Sequence, residues 1–167
     1  YLSRCCAPTP APAAVPEDAR FWERFERFVL QIQRSLDPKE VAQIAVNDGR
    51  QLLGCDRVSL ALRHGRKARI LAISGQEDVQ RRANQVVAMA RLADVVMTGG
   101  EPLTYQGTLE GLPPPLEVPL ADYLTESRMR MVRLIPLRKS EPVARAEEDH
   151  ADQPPAPPRR VIACLLV

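Results

Sequence analysis

The stretch LLGCDRVSLALRHGRKARILAISG, residues 52–75, holds two apolar runs parted by a basic turn. Val58, Leu60 and Leu62 alternate with Ser59, Ala61 and Arg63, the period of a half-buried strand. RHGRK then turns the chain, with Gly65 free to take positive φ. Ala68, Ile70 and Ala72 alternate with Arg69, Leu71 and Ile73 on the way back. The pattern predicts a β-hairpin with a solvated basic tip.

Upstream, Phe21, Phe25, Phe28 and Ile32 follow helical spacing, and structure is expected to start near Glu17. That helix stops before Asp37. DPKE then offers an N-cap Asp37, a Pro38 suited to the first helical position and Glu40 at the third. The second helix is expected to bury Val41, Ile44, Ala45 and Leu52 and to stop at Gly54. Downstream, residues 80–98 read as a helix with Val86, Met89, Ala93 and Val96 or Met97 inward, ended by Gly99 and Gly100. PLTYQ, residues 102–106, is a short strand, and EGLPPP is a loop. Leu116, Leu120, Tyr123 and Leu124 lie on one face of a short helix. RMRMVRLIPLRK is a strand in which Pro136 marks an edge or a bulge. RRVIACLLV is fully apolar after its arginines and suits the interior of a sheet.

The 167 residues are enough for one domain with a sizeable core. Residues 1–16 alternate Pro and Ala and read as a linker or tail. Residues 17–167 read as a single domain. Within it, EPVARAEEDHADQPPAPP, residues 141–158, has five prolines, five acids and almost no large apolar side chain, so it reads as a disordered excursion. The chain does not begin with Met, and Tyr1 reads as an internal cut or a processed end. The formal net charge is +2, which gives little drive toward nucleic acid or an anionic membrane. No run of apolar residues is long enough to span a bilayer. Cys5, Cys6, Cys55 and Cys164 do not make a disulfide framework for a chain of this size and suit a reducing compartment.

The order of elements resembles a GAF domain. The likeness is carried by SLDPKEVAQIAVNDGRQLLGCDRVSLAL, then ILAISG, then the helix closed by GGEPLTY, then VRLIPL and VIACLLV, over residues 21–140 and 159–167. More narrowly, FWERFERFVLQIQRSLD, NDGRQLLGCDRVSLALRHGRKARILAISGQ and RRANQVV look like the N-terminal GAF segment of bacterial secretion adaptors of the HlyD (membrane-fusion) type. The resemblance implies an α+β, profilin-like fold: a central antiparallel sheet of about six strands with helices on both faces. It implies a pocket between the sheet and the third and fourth helices, lined from residues 74–106 and 116–135. It further implies a homodimer through the N-terminal helix, residues 19–36, a cytoplasmic setting, and membrane attachment only through domains outside this chain. The family's usual last helix has no counterpart within these residues.

Several side chains are candidates for a site, each with a plainer alternative. GQEDVQRRANQ follows a strand and enters a helix, so Arg81, Arg82 and Asn84 are candidates to hold a phosphate or carboxylate near first-turn amides. The alternative is a solvated helical turn. Tyr105 and Tyr123 either line the pocket or pack as ordinary core. Cys55 is a candidate redox or bilin-attaching thiol, or an inert buried cysteine. His64 and His150 are the only histidines, on separate loops, and do not supply a metal site. The arginines of RMRMVR form no nucleic-acid stripe with aromatics at only 4%.

These readings lead to a non-catalytic sensory or regulatory module that takes a small molecule and signals through its terminal helices. No ligand or cofactor is named by the residues. One alternative is a structural dimerisation or docking module of a HlyD-type secretion protein. Another is a redox enzyme of the free methionine sulfoxide reductase type, for which neither Cys55 nor Cys164 falls in the expected segment.

Overall fold

The computed structural model describes residues 17–109, 111–139 and 161–167. In it β1 (Ser59–His64) and β2 (Lys67–Ile73) pair antiparallel, and Gly65 turns the chain at φ 63°. The ladder is not regular. Its register shifts between Leu60 and Ala61, where Leu60 faces Ala72 and Ala61 faces Ile70, so Leu71 is an extra residue. An extra residue of this kind breaks the two-residue alternation. Leu71 and Ala72 consequently share one core, while Ala68, Ile70 and Ile73 belong to the other. Simple alternation, which puts Ala72 with Ala68 and Ile70, fails at this point.

Two helices precede the hairpin, α1 (Glu17–Ile32) and α2 (Pro38–Leu53). Asp37 caps α2 by accepting from the Lys39 amide at 3.0 Å, Pro38 opens the helix, and Gly54 ends it at φ 63°. Glu40 does not reach back to the Asp37 amide. The Ser35 hydroxyl stands between them, accepting from that amide and donating to the Glu40 carboxylate. Ala42, Val46 and Gly49 form the buried face, one residue around from the face expected; Val41, Ile44, Ala45 and Leu52 are half-buried. Two of the three are small, which lets α2 lie close on Val58 and Ala72. α1 packs mainly on α2.

The remaining elements are α3 (Asn84–Gly99), β3 (Leu103–Tyr105), α4 (Pro114–Ser127), β4 (Val132–Arg138) and β5 (Val161–Leu166). α3 starts four residues later than expected: residues 80–83 form a turn, closed by the Ala83 amide on the Gln80 carbonyl at 3.0 Å. α4 starts earlier, because Pro114 and Pro115 occupy a first turn where their missing N–H groups are not needed.

The strands form one antiparallel sheet in the order β2-β1-β5-β4-β3. Among the described residues it has five strands, not six. β4 and β5, which flank residues 139–160, are neighbours, with Leu134 opposite Leu166 and Arg138 opposite Val161. β5 has a strand on each side, the place its apolar sequence suits. Pro136 sits in a strand that is interior by order. β3, however, opposes only Val132–Leu134, so Pro136 lies past its end.

α2 covers β1 and β2 on one face, and α3, carrying α4, covers the other. The larger core lies under α3, where Met89, Leu92 and Ala93 meet Ile73, Leu134 and Cys164. Each fully buried Leu, Ile or Met there contributes about 1.5–3 kcal/mol. The expected tail 1–16 and excursion 141–158 lie outside the described residues. No helix among the described residues is long and apolar enough to cross a membrane.

Candidate functional site

The left-handed stop at Gly54 ends α2 and throws Cys55, Asp56 and Arg57 across one end of the sheet before β1 begins. Ser59, the first residue of β1, is buried. β3 brings Tyr105 to the same end, and β4 brings Arg133 beside it. α4 supplies Tyr123 from its inward face, and the turn after its αL cap Arg128 supplies Met129. Together these enclose a cavity of about 400 Å³ between the sheet and α4. Met129, Val132 and Leu166 give it apolar walls, while Arg57, Ser59, Tyr105, Tyr123 and Arg133 bring polar groups. An apolar cavity with a few converging polar groups is the usual form of a small-molecule site.

Tyr123 and Ser59 are the buried members of this set. Burial pushes the Tyr123 hydroxyl pKa up, opposed by the nearby Arg57 charge and by a hydrogen bond with Ser127. At neutral pH it is a phenol that can donate or accept. Cys164 lies inside the sheet, and burial pushes its thiol up to about 12. A thiol so held is protonated and a poor nucleophile. Cys55 is half-buried and lines the cavity mouth. Among the described residues, no group of three or more His, Cys, Asp or Glu could hold a metal ion.

No family model matches the sequence, and no curated protein does. Solved structures match the shape. Part of a methyl-accepting chemotaxis protein superposes with a TM-score of 0.56 at 14% identity, over 86% of this chain and 80% of that one. The GAF domain of a phosphoenolpyruvate-protein phosphotransferase from Coxiella burnetii gives 0.53 at 10% identity, over 90% and 78%. A phycoerythrobilin-bound GAF domain from a cyanobacterial phytochrome gives 0.50 at 15% identity, over 89% and 81%. The fold is GAF-like. At these identities the likeness concerns the fold alone.

The five site residues expected from the sequence are not brought together by this GAF-like chain. Tyr105 and Tyr123 share the cavity beside α4. Arg81 and Arg82 line a separate depression of about 980 Å³ on the α2 face. Asn84, the first residue of α3, lies in a third one with Arg91 and Asp122. The loop between β2 and α3 explains the split. Gln43 donates to the carbonyls of Gln76 and Glu77 at 3.1 and 3.2 Å, and the Gly75 amide donates to Asn47 Oδ1 at 2.9 Å. These bonds tie the loop to α2, and Arg81 and Arg82 fall in its turn rather than in a helix.

Sequence reasoning missed Arg57 and Ser59; Cys55 was a candidate thiol, and Met129 and Arg133 fall within the expected lining range 116–135 without being singled out for the pocket. The alternation of β1 carried a usable signal, since Ser59 and Ala61 occupy the face opposite Val58 and Leu60. Arg57 had none, because its meeting with Tyr105, Tyr123 and Arg133 depends on how β3, β4 and α4 are arranged.

Proposed function

We propose that this chain is a non-catalytic GAF-type sensory or regulatory module. It takes a small organic molecule, anionic at one end, into the cavity beside α4. The observation that carries this is the cavity itself, roofed by Tyr123 and flanked by Arg57 and Arg133. Two guanidinium groups favour a carboxylate or similar anion, and the methionine and leucine walls favour an apolar body. The bilin held by the phytochrome GAF domain supports the use of this fold for ligand binding.

The cavity is connected to the terminal helix. Its mouth is the Gly54–Arg57 segment that ends α2, and Arg24 of α1 donates to the Gln51 carbonyl in the last turn of α2 at 2.6 Å. Movement of that segment on binding biases how α1 sits on α2. α1 in turn presents Phe21, Trp22 and Phe25, exposed at 42%, 63% and 37%, as a face for a second copy. A cytoplasmic setting and a junction to a HlyD-type adaptor belong to the same proposal.

The test is thermal unfolding against nucleotides, tetrapyrroles and amino acids. A ligand at a hundredfold excess over its Kd stabilises by about 2.7 kcal/mol. One class is expected to raise Tm, and Arg57→Gln or Tyr123→Phe to reduce that rise. No stabilisation by any of them removes the sensory reading. It leaves a structural docking module, which the solid packing of Val86, Met89 and Leu134 under α3 favours.

A further inference from the structure

A depression of about 980 Å³, larger than the tyrosine cavity, lies on the opposite face of the sheet from it. Its walls are the start of α2, the outer ends of β1 and β2, and the loop of residues 77–83. Leu62 and Leu71 supply apolar surface, and Lys39, His64, Arg69, Arg81 and Arg82 supply cationic or titratable groups. Four acids also line it. Two are engaged locally: Asp37 caps α2, and Glu40 accepts from the Ser35 hydroxyl. All four keep their negative charge, so they match the four fixed positive charges of the groove in number.

None of the groove's arginines makes a direct ion pair with those acids. Among the described residues the only ion pair is Arg27 with Glu23 on α1, far along the chain. Arg69 Nε is buried and makes no hydrogen bond among the described residues. A buried donor on a charged group is costly to leave without a partner. Arg69 and Arg81 also both line an adjoining depression of about 450 Å³ at the outer edge of β2, together with Lys67 and Arg91. The acid there, Asp94, already accepts from the Ala68 amide at 3.0 Å. Arg69 thus lines both depressions as a half-buried guanidinium whose Nε–H has no partner among the described residues, with Arg81 beside it in both.

We propose that this groove binds a small organic phosphate, with the phosphate side-on to Arg69 and flanked by Arg81 and Arg82. A phosphate dianion presents three oxygens and can accept from several guanidinium groups at once. A carboxylate has one oxygen fewer and a single negative charge, so it engages three guanidinium groups less well. The apolar part of the ligand lies on Leu62 and Leu71. The proposal does not rest on the tyrosine cavity being a sensor site.

The test is calorimetric titration with phenyl phosphate, beside succinate, with the arginine Nε–H signals followed by NMR. Saturable binding of phenyl phosphate, weaker binding of succinate and a shift of the Arg69 Nε–H signal are expected. Arg69→Lys keeps the charge but loses the fork, and is expected to weaken binding at least tenfold, about 1.4 kcal/mol. Because Arg69 is half-buried, the exposed pair Arg81→Gln with Arg82→Gln serves as a second variant with the same expected loss. Absence of saturable binding at millimolar phenyl phosphate overturns the proposal. So does unchanged affinity in both variants. Met129→Trp, which fills the tyrosine cavity, is expected to leave phosphate binding intact. Loss there with the arginine variants unaffected places the anion in the wrong cavity and also overturns it.

Discussion

Val58 and Ser74 hold each other by two hydrogen bonds. The Val58 amide donates to Ser74 Oγ at 3.0 Å, and the Ser74 amide donates to the Val58 carbonyl at 2.9 Å. Both residues are buried, and the hydroxyl stands in for a strand neighbour just before β1 begins. Ser74→Ala leaves the Val58 N–H buried without a partner, at a cost of about 1–3 kcal/mol. Urea unfolding is expected to show a lower midpoint at unchanged slope, with Ser74→Thr falling less far. A wild-type midpoint for Ser74→Ala would mean that the hydroxyl is dispensable.

The ends of α2 and α4 make a pair of opposite predictions. Gly54 and Arg128 both cap their helices in the left-handed region, at φ 63° and 56°, and Arg128 is the only such non-glycine among the described residues. A Cβ at Gly54 meets nothing within 4 Å, so Gly54→Ala tests backbone strain alone and is expected to cost about 1 kcal/mol. Arg128→Gly relieves the same strain and is expected to stabilise by up to about 1 kcal/mol. Calorimetric Tm values that move in the same direction for both variants would contradict this account.

Alkaline pH should destabilise the fold through its buried acids. Burial raises Cys164 from 9.0 to about 12, and it raises Tyr123 above its ordinary 10.0. The folded state holds each proton longer than the unfolded state does. Their stabilisation is therefore complete below the unfolded values and is lost as pH rises through the folded ones. For Cys164 the window runs from about pH 9 to 12, with a slope of up to about 1.4 kcal/mol per pH unit. Cys164→Ala is expected to be less stable at pH 7 but to lose less between pH 9 and 12. Stability curves that run parallel through that window would refute the assignment.

Trp22 is the single tryptophan and reports on α1. It is 63% exposed, edge-on to Phe21 and Phe25 at 5.7 and 5.8 Å between ring centroids. If α1 carries self-association, its emission should shift to the blue with rising protein concentration while sedimentation reports a dimer. Phe25→Glu should hold the chain monomeric with the emission unshifted. A dimer that persists in Phe25→Glu would move the contact elsewhere.

Much of the secondary structure was legible because its signals are local. Asp37, Pro38 and Gly54 bracket α2 with cap chemistry that adjacent residues supply. The apolar run VIACLL forms β5 with a strand on each side. Where single residues misled, a neighbour intervened: Leu71 shifted the alternation of β2, and the turn at residues 80–83 delayed α3. The site was legible only in part, as Tyr105, Tyr123 and the 116–135 range that holds Arg133, but not Arg57.

By itself, the order of amino acids determined where helices, strands and turns lie and that the interior is apolar, since spacing and capping act over a few residues. Tertiary structure alone decided that Gly54–Arg57, Ser59 and Leu166 meet Tyr105 and Tyr123 around one cavity, and that Arg81 and Arg82 join Arg69 in another. A cavity forms where segments far apart in the chain come together. Their register and facing are set by packing across the sheet, which no short stretch encodes.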